Sequence, residues 1–103
     1  MTSARRPPDA ADIALAIGAA QAELAGWPRF HDPDDSIQAA AERRSRYHSY
    51  TEASQHRLAA QGFRITGRPG APTRIRAAGI AAASTGGLQA ALRLWVAKAR
   101  AAA

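Results

Sequence analysis

The chain has 103 residues, no cysteine, 28 alanines and a net charge of +6. This length allows one domain with a modest core, and the absence of cysteine excludes disulfides and thiolate metal sites. Only 15 residues are Leu, Ile, Val or Phe, so a thin-cored helical protein is expected, carried by alanine's helix preference and supplemented by self-association or a partner.

Nothing in the composition points to an oxidising compartment, and a cytoplasmic setting is the default. Arg5 and Arg6 ahead of Ile13 have the outline of a signal peptide, but Asp9, Asp12, Gln21 and Glu23 interrupt the apolar stretch. The longest uncharged run, residues 77–92, is too short and too rich in Ala and Gly to span a bilayer, which needs about 20 apolar residues. No membrane partner is expected.

Charge is segregated along the chain. Residues 1–52 hold six bases and all eight acids and sum to −2, while residues 53–103 hold eight bases and no acid and sum to +8. Thirteen of the fourteen bases are Arg. Together with the alanine excess this is the usage of a GC-rich genome, so the placement of the arginines says more than their type.

In chain order, Pro7, Pro8, Asp9 and Asp12 resemble an N-terminal cap. Ile13, Ile17, Ala20 and Leu24 then recur at helical spacing, and Gly26-Trp27-Pro28 supplies a stop. A first helix is predicted over about Ala10 to Ala25, followed by a loop whose aromatics, Trp27 and Phe30, fold back onto the helices. Asp32, Pro33, Asp34 and Asp35 predict a second helix starting at Pro33. It runs until Gly62, where Leu58 and Phe63 occupy the positions of a Schellman-cap contact. Its apolar stripe of Ile37, Ala40, Ala41, Tyr47 and Leu58 is sparse, and a break between Ser45 and Ser49 is an alternative to one continuous helix.

Phe63 to Thr66 and Thr73 to Arg76 alternate apolar and basic residues around Gly67-Arg68-Pro69-Gly70-Ala71-Pro72. This reads as a β-hairpin, an extended arm, or a helix capped by Thr73. Residues 77–83 are read as helix-prone despite Gly79, with a turn at Ser84 to Gly87. A last helix then carries Leu88, Leu92, Trp95, Val96 and Ala99 on one face.

The expected fold is therefore mainly α: two longer helices, a short basic hairpin or extended arm, and one or two C-terminal helices. It forms one domain over residues 1–103, with residues 1–8 and 101–103 as tails. Arg57, Arg64, Arg68, Arg74 and Arg76 converge on the hairpin region and are the candidate nucleic-acid-binding residues, since clustered cations bind polyphosphate through counterion release. Arg43, Arg44 and Arg46 form a second cluster. The bland reading is a solvated face neutralised by the acidic half. Leu88, Leu92, Leu94, Trp95 and Val96 are the candidate protein interface, for a homo-oligomer or a helical partner.

Other constellations carry less. Residues 75–96 can be drawn as a helix-turn-helix, but the second helix offers little beyond Gln89 and Arg93 to read base edges. His48, Glu52 and His56 share a helical face, yet one metal cannot easily be reached from both ends of that row. Ser84 to Gly87 lacks the spacing of a phosphate-binding loop, and no serine lies in a nucleophile motif. The expectation is a non-enzymatic accessory protein, without cofactor, that contacts nucleic acid through its Arg-rich C-terminal half. The alternative is a helical assembly or adaptor protein, as found in viruses and chromosomes, acting through the second helix and the C-terminal Leu/Trp face.

Overall fold

The structure, a computed structural model, describes residues 10–27, 36–67 and 70–102. The elements run α1 (Ala10–Gly26), α2 (Ile37–Ala60), β1 (Arg64–Thr66), β2 (Thr73–Ala77), β3 (Ile80–Ser84) and α3 (Leu88–Ala102). The fold is mainly α with a small antiparallel sheet of order β1-β2-β3.

Helix α1 has the expected extent. It buries Ile13 and Ala20 and half-buries Ile17 and Leu24, while Leu15 points outward at 76% exposure. Trp27 folds back and is buried against the rings of Tyr50 and Tyr47, with centroids 4.8 and 6.0 Å away. The expected Asp9 cap, and Phe30, lie outside the described residues.

Helix α2 is continuous, without a break between Ser45 and Ser49. Its start differs from the sequence expectation. The Asp32–Pro33 signal lies outside the described residues, and the described helix begins at Ile37 with Ser36 as its cap. Ser36 is extended (φ −63°, ψ 150°), and its Oγ accepts from the Ala39 amide at 3.1 Å. Serine is an effective cap because its hydroxyl satisfies an amide that has no partner within the helix. The other end forms the expected Schellman cap. Gly62 takes φ +92°, its amide donates to Ala59 O (3.1 Å), the Phe63 amide donates to Leu58 O (3.0 Å), and Leu58 and Phe63 are both buried. Gly62 is the residue that reaches this left-handed geometry without steric cost.

The hairpin forms, with register Arg64↔Arg76, Ile65↔Ile75 and Thr66↔Arg74. The helix expected over residues 77–83 does not form, and a third strand takes its place. Ala78 (φ 50°) and Gly79 (φ 75°) both adopt positive φ between the paired residues Ala77 and Ile80. That is the geometry of a two-residue type I′ turn, which returns the chain as β3 along β2. The helix-turn-helix drawing of residues 75–96 falls with it.

Alternation then sorts the sheet into two faces. Ile75, Ala77 and Ala82 are buried on the inner face, beneath Leu88, Ala91, Leu92, Trp95, Val96 and Ala99 of α3. Trp95 is the central side chain: it meets Phe63 edge-on at 4.9 Å, and its Nε1 donates to Ile80 O at 3.0 Å. Helix α1 packs on α3, whereas α2 touches the rest mainly at α1 and β1. Helix α3 continues to Ala102, past the point at which a tail was expected.

Candidate nucleic-acid interface

The outer face of the sheet is built by the same alternation that buries Ile75. Two rows cross the strands: Arg64, Arg76 and Ala81 in one, and Thr66, Arg74 and Ala83 in the next. All of these residues are exposed. Lys98 of α3 reaches the edge of β3, where its Nζ donates to Ala81 O at 3.0 Å. Together they line a shallow trough of about 410 Å³.

Arg64 and Arg76 stand directly opposite each other. Like charges at such a cross-strand pair are destabilising. Among the described residues, no carboxylate pairs with Arg64, Arg74 or Arg76. The reason lies in the sequence, since every acid precedes residue 53 and the described ones sit on α1 and α2. The surface is thus cationic, and its arginines are gathered by strand pairing.

Arg57 is placed elsewhere. Its guanidinium forms a two-pronged ion pair with Glu23 of α1, Nε to both carboxylate oxygens at 3.0 and 2.9 Å and Nη2 to Oε1 at 2.8 Å, and it lies 5.2 Å from the Tyr50 ring centroid. The Tyr50 hydroxyl donates to the Glu23 carbonyl at 2.7 Å. Hydrogen bonding from Arg57 holds the Glu23 carboxyl below its ordinary value, against the opposing effect of burial. The Ser54 hydroxyl acts in the same direction as Arg57, although it makes no well-aligned hydrogen bond. The Arg57 guanidinium is raised chiefly by its bonds to Glu23, and Tyr50 is raised by burial and then by the Glu23 charge. This cluster fastens α1 to α2, and one arginine of the expected five is neutralised there. Arg68, between β1 and β2 in the sequence, lies outside the described residues.

The expected protein-interface face is occupied by the chain's own core. Leu88, Leu92, Trp95 and Val96 are buried under the sheet, and only Leu94 points outward, at 47% exposure. A third strand supplies the cover that a lone hairpin would not. On α2, Arg43, Arg44, Tyr47 and His48 border a second shallow hollow, and Arg44 and Arg46 are exposed. His48, Glu52 and His56 lie on exposed helix surface. Among the described residues no group of three or more His, Asp or Glu is gathered for a metal, and no helix is long and apolar enough to cross a membrane. Ser84 to Gly87 is a turn in which Ser84 Oγ accepts from the Gly86 amide at 3.0 Å.

Sequence reasoning missed Thr66, Ala81, Ala83 and Lys98 as parts of the outer face. Thr66 followed directly from the hairpin register. The other three depend on β3, for which the polarity pattern carries no signal. Comparison of the chain with family models, with curated proteins and with solved structures gives no match.

Proposed function

We propose that this chain is a non-enzymatic accessory protein that binds nucleic acid through the outer face of its sheet, with Arg64, Arg74 and Arg76 as the main contacts and Lys98 at the rim. The observation that carries the reading is the opposed Arg64–Arg76 pair, beside Arg74, with no carboxylate partner among the described residues. A folded chain that retains a destabilising like-charge pair gains most from a polyanion that neutralises it. Arg68, which lies between β1 and β2 in the sequence, is outside the described residues and is not counted among these contacts.

Four cations engaged with phosphate give a slope of log K against log[salt] of about −3.6 on duplex DNA, at about −0.9 per phosphate neutralised. Anisotropy titrations of a labelled duplex between low and physiological salt measure it. A slope near zero, or no binding, contradicts the proposal.

A second reading concerns α2, which buries only Ala39, Ser54 and Leu58 along 24 residues and leaves Ile37 at 87% exposure. A long helix so little used by its own core suits self-association or docking to another helical protein. Light scattering over a range of concentrations tests it, and a monomer at every concentration counts against self-association.

A further inference from the structure

We propose that the partner is duplex DNA and that the outer sheet face enters its major groove; this rests on the nucleic-acid reading above and specifies it. Size is the first reason. The three arginines stand on the two-stranded ribbon β1–β2, whose strands lie about 4.8 Å apart, and a ribbon of two strands is what the major groove of B-form DNA admits. The major groove of B-form DNA is about 12 Å wide, whereas that of A-form RNA is too narrow and deep for side chains to read.

The second is the grading of side-chain length across the face. Strands β1 and β2 carry Arg64, Arg74 and Arg76, while β3 carries only the methyl groups of Ala81 and Ala83. Long guanidinium arms on one side match guanine O6 and N7 or phosphate, and short methyls on the other allow close approach of the strand to base edges and to thymine methyls. Lys98, held at the β3 edge by its bond to Ala81 O, places a point charge where the flanking phosphates would run.

The third is that the described residues of this face offer no aromatic stacking surface. Single-stranded binding relies on exposed aromatic rings. The described aromatics are all committed elsewhere: Trp27, Phe63 and Trp95 are buried, and Tyr47 and Tyr50 pack against Trp27 from α2. Among the described residues the face has charge and width but no aromatic platform for an unpaired base.

The test uses the full chain and five probes of matched length at one salt concentration: a DNA duplex, the same duplex with methyl green bound in its major groove, the same duplex with netropsin in its minor groove, an RNA duplex of the same sequence, and single-stranded DNA. Polyglutamate serves as a competitor. The expected result is binding to the DNA duplex at least about tenfold tighter than to the RNA duplex or the single strand. Methyl green should block it, netropsin should not, and polyglutamate should compete only weakly. Arg76→Ala, which relieves the repulsion from Arg64 and should not lower the melting temperature, is expected to weaken duplex binding about tenfold. Equal or tighter binding to RNA or to the single strand, or blockage by netropsin alone, overturns the groove assignment and leaves the nucleic-acid reading intact. Displacement by polyglutamate at equal charge also overturns it. Failure to bind any nucleic acid overturns both.

Discussion

The sheet with α3 and the long helix α2 contribute very unequally to the core. In the first, three short strands and one helix enclose Phe63, Ile75, Leu92 and Trp95, with Ala77 and Ala82 buried beside them and Ile65 of β1 half-buried. In the second, 24 residues bury one large side chain, Leu58. What holds α2 is the set of interactions along its second half: the Glu23–Arg57 ion pair, the Tyr50 hydroxyl on the Glu23 carbonyl, Trp27 against Tyr50, and the Schellman cap. Burial and charge are thus coupled in this chain. Where the core is dense, strand pairing drives arginines outward into a cluster. Where the core is sparse, an arginine is used to hold two helices together.

The sharpest way to break this comparison is to empty the denser core. Trp95→Ala removes the central side chain and its bond to Ile80 O, and it is expected to cost about 3–5 kcal/mol. Urea unfolding measures it, and a loss under about 1 kcal/mol would show that the sheet does not depend on α3. Smaller effects are expected at the helix clamp. Tyr50→Phe deletes one hydrogen bond and should cost about 1 kcal/mol.

Glu23 sharpens the same comparison by pH. Its carboxyl is held below the ordinary value of 4.5, so its contribution is fully present above that pH and is lost as pH falls through the lower folded value. Wild type is therefore expected to exceed Glu23→Gln in melting temperature at neutral pH, with the gap closing below pH 4.5. A gap that persists through acid contradicts the assignment of the clamp to this ion pair.

Ala78 tests the turn that creates β3. A non-glycine residue at φ 50° carries a left-handed strain of about 1 kcal/mol, so Ala78→Gly is expected to stabilise the protein by up to about that amount. The smallest effect belongs to Ile37→Ser on α2, expected to stay within about 0.5 kcal/mol because the side chain is already in water. A larger loss in dilute solution would place Ile37 in an interface.

Much of this was legible in the residues. Helical spacing from Ile13 to Leu24 and the Leu58–Gly62–Phe63 cap each state their structure through side-chain type, while the alternation of Arg with Ile around Arg64 and Arg74 is compatible with a hairpin, an arm or a capped helix until the strands are seen to pair. Strand β3 does not, because Ile80-Ala81-Ala82-Ala83-Ser84 has nearly the same small side chain on both faces and alanine favours helix. The deciding feature is the positive φ at Ala78, which alanine does not advertise. Missing that strand hid the cover over Leu88, Leu92, Trp95 and Val96, and so their face read as available to a partner. Arg57 was grouped with the sheet arginines by proximity in sequence, whereas its partner, Glu23, is 34 residues away.

We propose that the sheet arginines, and not positive charge in general, hold nucleic acid. It is tested most directly by the salt dependence of duplex binding for wild type, for Arg64→Ala/Arg74→Ala/Arg76→Ala and for Arg57→Gln. The triple variant is expected to keep its fold and to flatten the slope by about 2.7, at about 0.9 for each phosphate no longer neutralised, while Arg57→Gln lowers stability and leaves the slope unchanged. Equal slopes for wild type and the triple variant, or a flattening produced by Arg57→Gln instead, would contradict it.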